Sequence, residues 1–290
     1  MPKHCPENER VKRRYYAYLK EAQRYSDATI DGVAKALARF EEDTQWKDFK
    51  RFRQEQAIAF KRHLAEQRNL ATGERLSKAT AHSTLAHLKR FFHWLAREPG
   101  FKSRLQYSDA DYFNLSEKDT RIATAHREPR VATLEQIKRV LAAMPASTDI
   151  ERRDRALIAF TLLTGARDSA IASMKLKHVD IDAGLVRQDA REVKTKFSKT
   201  FTTYFFPAGE EVRLIVVDWI VFLRTQRLWG SDDPLFPATE VIVDSDQHFR
   251  ASGLRRQGWG SAGPIRSIFR TAFERVGLLY FNPHSFRHTL

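Results

Sequence analysis

The residues best suited to chemistry in this chain stand in Pro283-His284-Ser285-Phe286-Arg287-His288. A proline at a helix start, with a histidine and an arginine three apart behind it, puts an imidazole and a guanidinium one turn apart on one face. That pair suits a phosphate. The arginine offers a planar fork that stays charged near neutrality, and the histidine donates or shuttles a proton. His284 and His288, four apart, also have the spacing of two metal ligands on a helix. The residues between them, however, lack the glutamate base that a zinc hydrolase needs, and Arg287 repels a cation. No metal site is expected, and His288 is expected to pack or hydrogen-bond within its domain.

A second arginine follows a glycine stop in Thr164-Gly165-Ala166-Arg167. Taken alone, Arg167 reads as a cap for the helix ended by Gly165, or as a partner for Asp168 or Asp180. The stretch after it changes the balance. LKHVDIDAGLVRQ reads as two short strands about a turn at Ala183-Gly184, and REVKTKFSKTFTTYFFP as a further β-hairpin with Lys194, Lys196 and Lys199 around its tip. For at least two of these lysines, exposed turn charges that touch backbone phosphates at most are the simplest account.

Composition narrows the partners. The chain has 290 residues, a formal net charge of +14 and 42% hydrophobic residues, enough for two domains that each bury a core. Both halves are basic, and the charge is mixed with aromatics rather than gathered in one tail, which is the footprint of a nucleic-acid binder. No apolar run approaches a membrane span, and the basic N-terminus lacks the apolar region of a secretory signal, so a cytoplasmic, DNA-associated setting is expected. The single cysteine, Cys5, excludes an internal disulfide or a cysteine-built zinc site.

The elements that must position these residues follow from periodicity. DATIDGVAKALARFEED, QEQAIAFKRHLAEQRNL and SKATAHSTLAHLKRFFHWLAREPG each carry an apolar face, for example Ile30, Val33, Leu37 and Phe40, or Ala81, Leu85, Leu88, Phe92 and Leu95. VKRRYYAYLKEAQRY adds a helix or an arm. This predicts a small helical bundle over residues 1–105, with Lys61, Arg62, Lys78, Lys89 and Arg90 on polar faces. Each alone is a solvated charge, but together they could line a DNA groove. Residues 106–130 lose periodicity and read as a linker. A second domain over 131–290 opens with a capping box, Thr133 and Gln136, and continues through the nearly apolar ERRDRALIAFTLLTG. Later helices carry the stripes Ile215-Trp219-Phe222 and Ile265-Ile268-Phe269-Phe273-Val276, which are expected in the core. Arg255, Arg256 and Arg266 flank a glycine-rich connection, SGLRRQGWGSAG, that is expected on the DNA side.

The order Thr164-Gly165-Ala166-Arg167, a lysine-bearing hairpin ending in Phe206-Pro207, and then Pro283-His284-Ser285-Phe286-Arg287-His288 resembles the tyrosine recombinase (phage integrase) family. The resemblance spans both halves. It implies a mostly α protein with a small antiparallel sheet, in which an N-terminal helical (SAM-like) core-binding domain and a mixed α/β catalytic domain form a C-shaped clamp on DNA. It also implies that Arg167 and Arg287 grip the scissile phosphate, that His284 donates to it, and that a hairpin lysine protonates the departing 5′ oxygen. Lys196 is the preferred lysine, with Lys199 its competitor; Lys194, Lys199, Arg255 and Arg256 join the DNA-contact set. Neither ATP nor a metal is implied. The expected partners are double-stranded DNA and, in a complete enzyme, three further copies forming a tetramer on two DNA sites; the source is bacterial or phage-derived.

Two departures stand out. Where many relatives have an acidic residue three places after the first arginine, this chain has Ala170, so Asp168 or backbone is expected to orient Arg167. The nucleophilic tyrosine that relatives carry beyond the histidine-arginine helix has no counterpart before Leu290, and Tyr280 does not match its position. The 290 residues are therefore expected to bind DNA without cleaving it. A type IB topoisomerase-like enzyme and a non-catalytic DNA-binding regulator are the alternatives.

Overall fold

Helices form first where apolar residues recur every three or four positions: α1 (Pro6–Ala17), α2 (Asp27–Asp43), α3 (Gln54–Glu66) and α4 (Lys78–Leu95). Ser26 and Ser77 cap α2 and α4, each hydroxyl accepting the backbone N–H three residues on. The computed structural model describes residues 4–69, 73–126, 128 and 130–289, and the chain divides into two units, Met1–Arg127 and Glu128–Leu290.

Phenylalanine rings fill the centre of the first unit. Phe92 of α4 lies 4.2 Å from Phe52, 5.6 Å from Phe40 and 5.1 Å from Phe113, centroid to centroid, a spacing at which offset and edge contacts add to apolar burial. Helix α1 is fastened to α2 by a buried polar cluster. Glu41 is 1% exposed, and its two oxygens accept from Asn8 Nδ2 at 3.1 Å and Lys12 Nζ at 2.6 Å. A carboxylate so deeply buried is tolerable only when it is paired.

The stretch 106–130, expected as a linker, carries structure of its own. Tyr107–Phe113 is a 3-10 helix and α5 spans Glu117–Thr124. Leu105, Ala110 and Phe113 are buried in the first core. Three anchors spaced five and three apart, among charged residues, leave no periodic trace in the sequence, which is why the stretch read as unstructured.

The second unit begins with α6 (Leu134–Ala143), whose Thr133–Gln136 capping box forms as expected, with reciprocal bonds of 3.0 and 3.2 Å. Helix α7 (Asp149–Thr164) is the central element, and every residue from Ala156 to Thr164 is buried. A helix apolar on all sides belongs in the middle of a core. After the short α8 (Asp168–Ile171) come β1 (Val179–Asp180), β2 (Leu185–Gln188) and β3 (Phe201–Tyr204). They form one antiparallel sheet in the order β1-β2-β3, with Val179 opposite Val186 and Gln188 opposite Phe201. The expected second hairpin is therefore the outer half of this meander. Its first arm is β2 rather than residues 191–196, because Val193 turns inward and is buried. The three lysines stand on the β2–β3 connection.

Helix α9 (Glu210–Thr225) packs on α7, and Trp219 donates its indole N–H to Leu235 O at 2.9 Å. The glycine-rich connection of the sequence reading is mostly strand: β5 (Phe249–Gly258) pairs antiparallel with β4 (Pro237–Val243) as a two-stranded ribbon. Most of the ribbon is exposed on both faces, so it lacks the in-out alternation that reveals a strand. Helix α10 (Gly263–Arg275) leads to a final 3-10 helix, Pro283–His288. The architecture is mostly helical with two small antiparallel sheets. Among the described residues no helix is long and apolar enough to cross a membrane.

Because Phe92 touches five other rings, those of Phe40, Phe49, Phe52, Phe91 and Phe113, Phe92→Ala should destabilise the first unit by about 3–5 kcal/mol. Native-state amide exchange across α2 and α4 measures this, and should accelerate in proportion.

Candidate functional site

The site is built from the C-terminal end of α7. Gly165 takes a left-handed conformation, φ +55°, and its N–H closes the helix on Thr161 O at 2.9 Å. Thr164 Oγ1 donates to Phe160 O at 2.7 Å and accepts the Ala166 N–H at 3.2 Å. The chain thereby turns sharply, and Arg167 becomes the N-cap of α8, half-buried at the surface.

The second half comes from the final 3-10 helix. Asn282 caps it, its Oδ1 accepting the Ser285 N–H at 3.0 Å. Phe286 is fully buried, 5.0 Å from the ring of Phe269 and 6.1 Å from that of Phe273, and Thr289 Oγ1 donates to Ala132 O at 2.9 Å. With Phe286 driven inward, His284, Arg287 and His288 face outward and are exposed. Side chains three apart eclipse one another in a 3-10 helix, so His284 and Arg287 share a face more closely than in an α-helix.

The two halves meet at Gly165. A methyl group built on it would sit 3.5 Å from Arg287 Cγ and 3.9 Å from Arg287 Cα. It would also lie 3.6 Å from Phe206 Cε2, and Phe206 N–H donates to Leu163 O at 2.8 Å, which pins the end of β3 to the same turn. The arginine turn, the sheet and the histidine-arginine helix thus converge on one glycine.

Their electrostatics agree. Partial burial and the field of Arg167 hold the Arg287 guanidinium below the usual arginine range. The His284 imidazole is held below its ordinary value by partial burial, then by Arg287, Arg167 and His288, against a smaller opposing pull from Asp168. Neither arginine has a carboxylate partner among the described residues. Asp168, expected as one of the possible orienters of Arg167, pairs with Arg266 instead, so the backbone turn holds Arg167 in place. Two guanidinium groups and an imidazole that repel one another, with no carboxylate paired to either arginine among the described residues, could receive an anion that arrives from outside.

The β2–β3 connection starts on a firm base. His178 is buried, its Nδ1 accepting the Lys175 N–H at 2.9 Å and its Nε2 lying 2.9 Å from Glu192 Oε2. Lys177 Nζ donates to Glu192 Oε1 at 2.7 Å, and these contacts push the Glu192 carboxyl down to about 2. Lys194 follows, its N–H donating to Ser173 Oγ at 2.9 Å and its carbonyl accepting from Ser169 Oγ at 3.4 Å, so its backbone is tied to the α8 region that Arg167 opens. Lys196 lies further out, its Nζ 5.0 Å from the Phe197 ring centre, where Phe197 and Ser198 both have positive φ. All three lysine side chains are exposed, and no hydrogen bond or ion pair among the described residues joins them to Arg167, His284 or Arg287.

The other basic residues fall into two groups. Lys61 donates to Asn114 O at 3.0 Å, Lys78 pairs with Asp119 at 2.6 Å, and Lys89 reaches Asp111 at 2.8 Å and Asn114 Oδ1 at 2.9 Å. These bonds brace α3 and α4 against residues 107–124. Arg256 is held by Asp233 through Nε at 2.7 Å and Nη2 at 2.5 Å. Arg62, Arg90 and Arg255 are exposed, without such a partner among the described residues. Surface pairs are weak enough for a phosphate to compete with them. His288 neither packs inside the unit nor bonds there; it is exposed, with its ring 5.8 Å from that of His284.

One acidic group remains. Asp244, Asp246 and His248 bring a ligand atom each within 4.8 Å of one another, but Asp244 Oδ1 accepts the N–H groups of Asp246 and His248 at 2.9 Å and Arg250 lies 2.5 Å from Oδ2. These bonds build the turn of the β4–β5 ribbon. Sequence reasoning missed two parts of the site: the Gly165–Arg287 contact and the grip of Arg266 on Asp168. Nothing local signals either, since the partners lie about a hundred residues apart.

The depressed His284 value has a defined sign. Between the ordinary imidazole pKa of about 6.5 and its lower folded value, the unfolded chain binds the extra proton, so acidification through this window lowers stability. A bound anion opposes the arginines and raises the value. A ¹H–¹⁵N titration of His284, without and with inorganic phosphate, should show a pKa below 6.5 that moves upward when phosphate is added.

Comparison with known proteins places this geometry. The sequence pattern of the phage integrase family matches residues 130–290. Tyrosine recombinase XerC of Lactobacillus leichmannii is 22% identical over 284 residues, covering 96% of this chain and 83% of its own. Tyrosine recombinase XerC 2 of Ralstonia nicotianae is 31% identical over 121 residues, 42% of this chain and 32% of its own. A lambda integrase dimer bound to a COC′ core site superposes with a TM-score of 0.62 at 15% identity, covering 97% of this chain and 87% of that one. The Tn1549 transposon integrase in complex with transposon right end DNA gives 0.59 at 15% identity, over 96% and 84%. At such identities the structural likeness speaks for the fold alone, while the family pattern covers more than half of the chain and contains Arg167, His284 and Arg287. The chain belongs to the phage integrase family of tyrosine recombinases.

Proposed function

We propose that this chain binds double-stranded DNA and that Arg167, Arg287 and His284 together grip the scissile phosphate in site-specific recombination. The observation that carries this reading is the convergence near Gly165 of two arginines and a histidine, with no carboxylate paired to either arginine among the described residues. Strand transfer without a metal needs fixed cationic donors around the negative charge that grows on the phosphoryl oxygens, and two guanidinium forks with an imidazole supply them. Removing one such donor typically costs about a hundredfold or more in rate.

In this reading the unit from Glu128 onward is the catalytic domain, and the helical unit before it is the core-binding domain, with Lys61, Arg62, Lys78, Lys89 and Arg90 toward the DNA. The β2–β3 connection supplies the general acid for the leaving 5′ oxygen. Lys196 remains the choice for that role, its exposed ammonium standing on an irregular loop that is free to enter a groove, with Lys199 its competitor. Cleavage proceeds through a 3′-phosphotyrosine link, and the working assembly is a tetramer on two DNA sites. A lambda integrase solved as a tetramer bound to a Holliday junction shares the fold, with a TM-score of 0.62.

Neither tyrosine of the catalytic unit suits the nucleophile's place. Tyr204 lies in β3 opposite Leu185. The ring of Tyr280 faces Arg270 at 5.4 Å, and burial makes its hydroxyl harder to ionise. The 290 residues should therefore bind DNA and leave it uncut.

Arg167→Ala and Arg287→Ala should each weaken binding to a duplex and make the plot of log K against log salt shallower by about one unit, as expected for one lost phosphate contact. Titrations at several salt concentrations measure this; unchanged slopes in both variants would sink the phosphate assignment. On a nicked suicide duplex the 290-residue protein should form no covalent adduct. An adduct mapped by mass spectrometry to Tyr204 or Tyr280 would overturn the statement about the nucleophile.

A further inference from the structure

An arginine can hold a phosphate only while no carboxylate of its own chain holds the arginine. Arg167 is followed directly by Asp168, and elsewhere in the same unit an identical dipeptide does pair with itself. Arg153 Nε and Nη2 both donate to Asp154 Oδ1, at 2.9 and 2.7 Å. At Arg167-Asp168 this does not happen. Arg266, on the first turn of α10, donates from Nε to Asp168 Oδ2 at 2.8 Å, and its Nη2 lies at ion-pair distance, also 2.8 Å, from the same oxygen. The Ser169 N–H donates to Asp168 Oδ1 at 2.9 Å. Both oxygens of the carboxylate are engaged, and Arg167 is left without an ion-pair partner among the described residues.

Asp168 is also the carboxylate whose field reaches His284, and it acts there against Arg167, Arg287 and His288. It is thus the nearby acid able to spoil the pocket. We propose that Arg266 is a positioning residue that sequesters Asp168 and so keeps the Arg167 guanidinium available to phosphate. The inference rests on the phosphate-pocket reading above. Without Arg266, Asp168 Oδ2 loses its cation, and the adjacent guanidinium offers the same two-pronged match to a carboxylate that it offers to a phosphate. Carboxylate and phosphate then compete for one fork.

Arg266 has a side chain 59% exposed, so replacing it opens no cavity. The test is titration of the 290-residue protein with inorganic phosphate, read at the Nε–Hε resonances of Arg167 and Arg287. A partly exposed ion pair is worth up to about fivefold in an equilibrium. Arg266→Gln should therefore weaken phosphate binding by about that factor. Asp168→Asn in the same background keeps the acceptor for the Ser169 N–H and should bring affinity back to within about twofold of the parent. Arg266→Lys, which keeps a cation facing Asp168, should stay closer to the parent than Arg266→Gln does. A double variant as weak as Arg266→Gln would mean that Arg266 meets the phosphate itself or only braces α10, and the proposal would fall. Unchanged affinity in Arg266→Gln would overturn it equally. Should the parent protein show no phosphate response at either arginine, it is the pocket reading that fails, and the two failures are distinguishable.

Discussion

The contact on which the rest of the second unit depends is the approach of the Arg287 stem to the backbone of Gly165. It is possible because α7 ends in a left-handed residue without a side chain, so the preceding turn can close and the final 3-10 helix can lie against it. A β-carbon there would be strained by the positive φ before it met any neighbour. From this one point, residues separated by about 120 positions in the chain come to present their charges to the same solvent-facing spot.

Holding like charges together costs free energy, and the fold meets that cost with apolar burial behind the site. Phe286 sits between His284 and Arg287 in sequence and points the opposite way, into Phe269 and Phe273. Every residue from Ala156 to Thr164 is buried beneath the turn that carries Arg167. The cations are thus the outward ends of segments whose inward ends are core. Around them, acids are either paired elsewhere, as Asp168 is with Arg266, or kept at the base of the β2–β3 connection, as Glu192 is with Lys177 and His178.

The first unit shows the same economy with different means. Its rings pack around Phe92, and its basic side chains on α3 and α4 mostly brace the segment 107–124. Among the described residues of this unit, Arg62 and Arg90 are exposed without such a bond. A basic surface can thus be partly structural and still attract a polyanion, because exposed ion pairs are weak and screened.

Local rules read much of this chain correctly: the faces of α2 and α4, the capping box at Thr133, the glycine stop at Gly165, the turn at Ala183-Gly184 and the short helix that carries His284 and Arg287. Each depends on neighbours within about four positions, and one-dimensional spacing records such neighbours faithfully. The stretch 106–126 and the β4–β5 ribbon escaped the reading, the first because its apolar anchors are sparse, the second because its faces are mostly exposed and do not alternate. The composition and order of the motifs were enough to point to a phosphate-gripping family. Which cation faces which, however, was decided only in three dimensions. Among the described residues, Arg167 and Asp168 are adjacent in sequence yet do not pair, while Arg266, 98 residues away from Asp168, holds that carboxylate, a partnership that only the packing of α10 beside α8 makes possible.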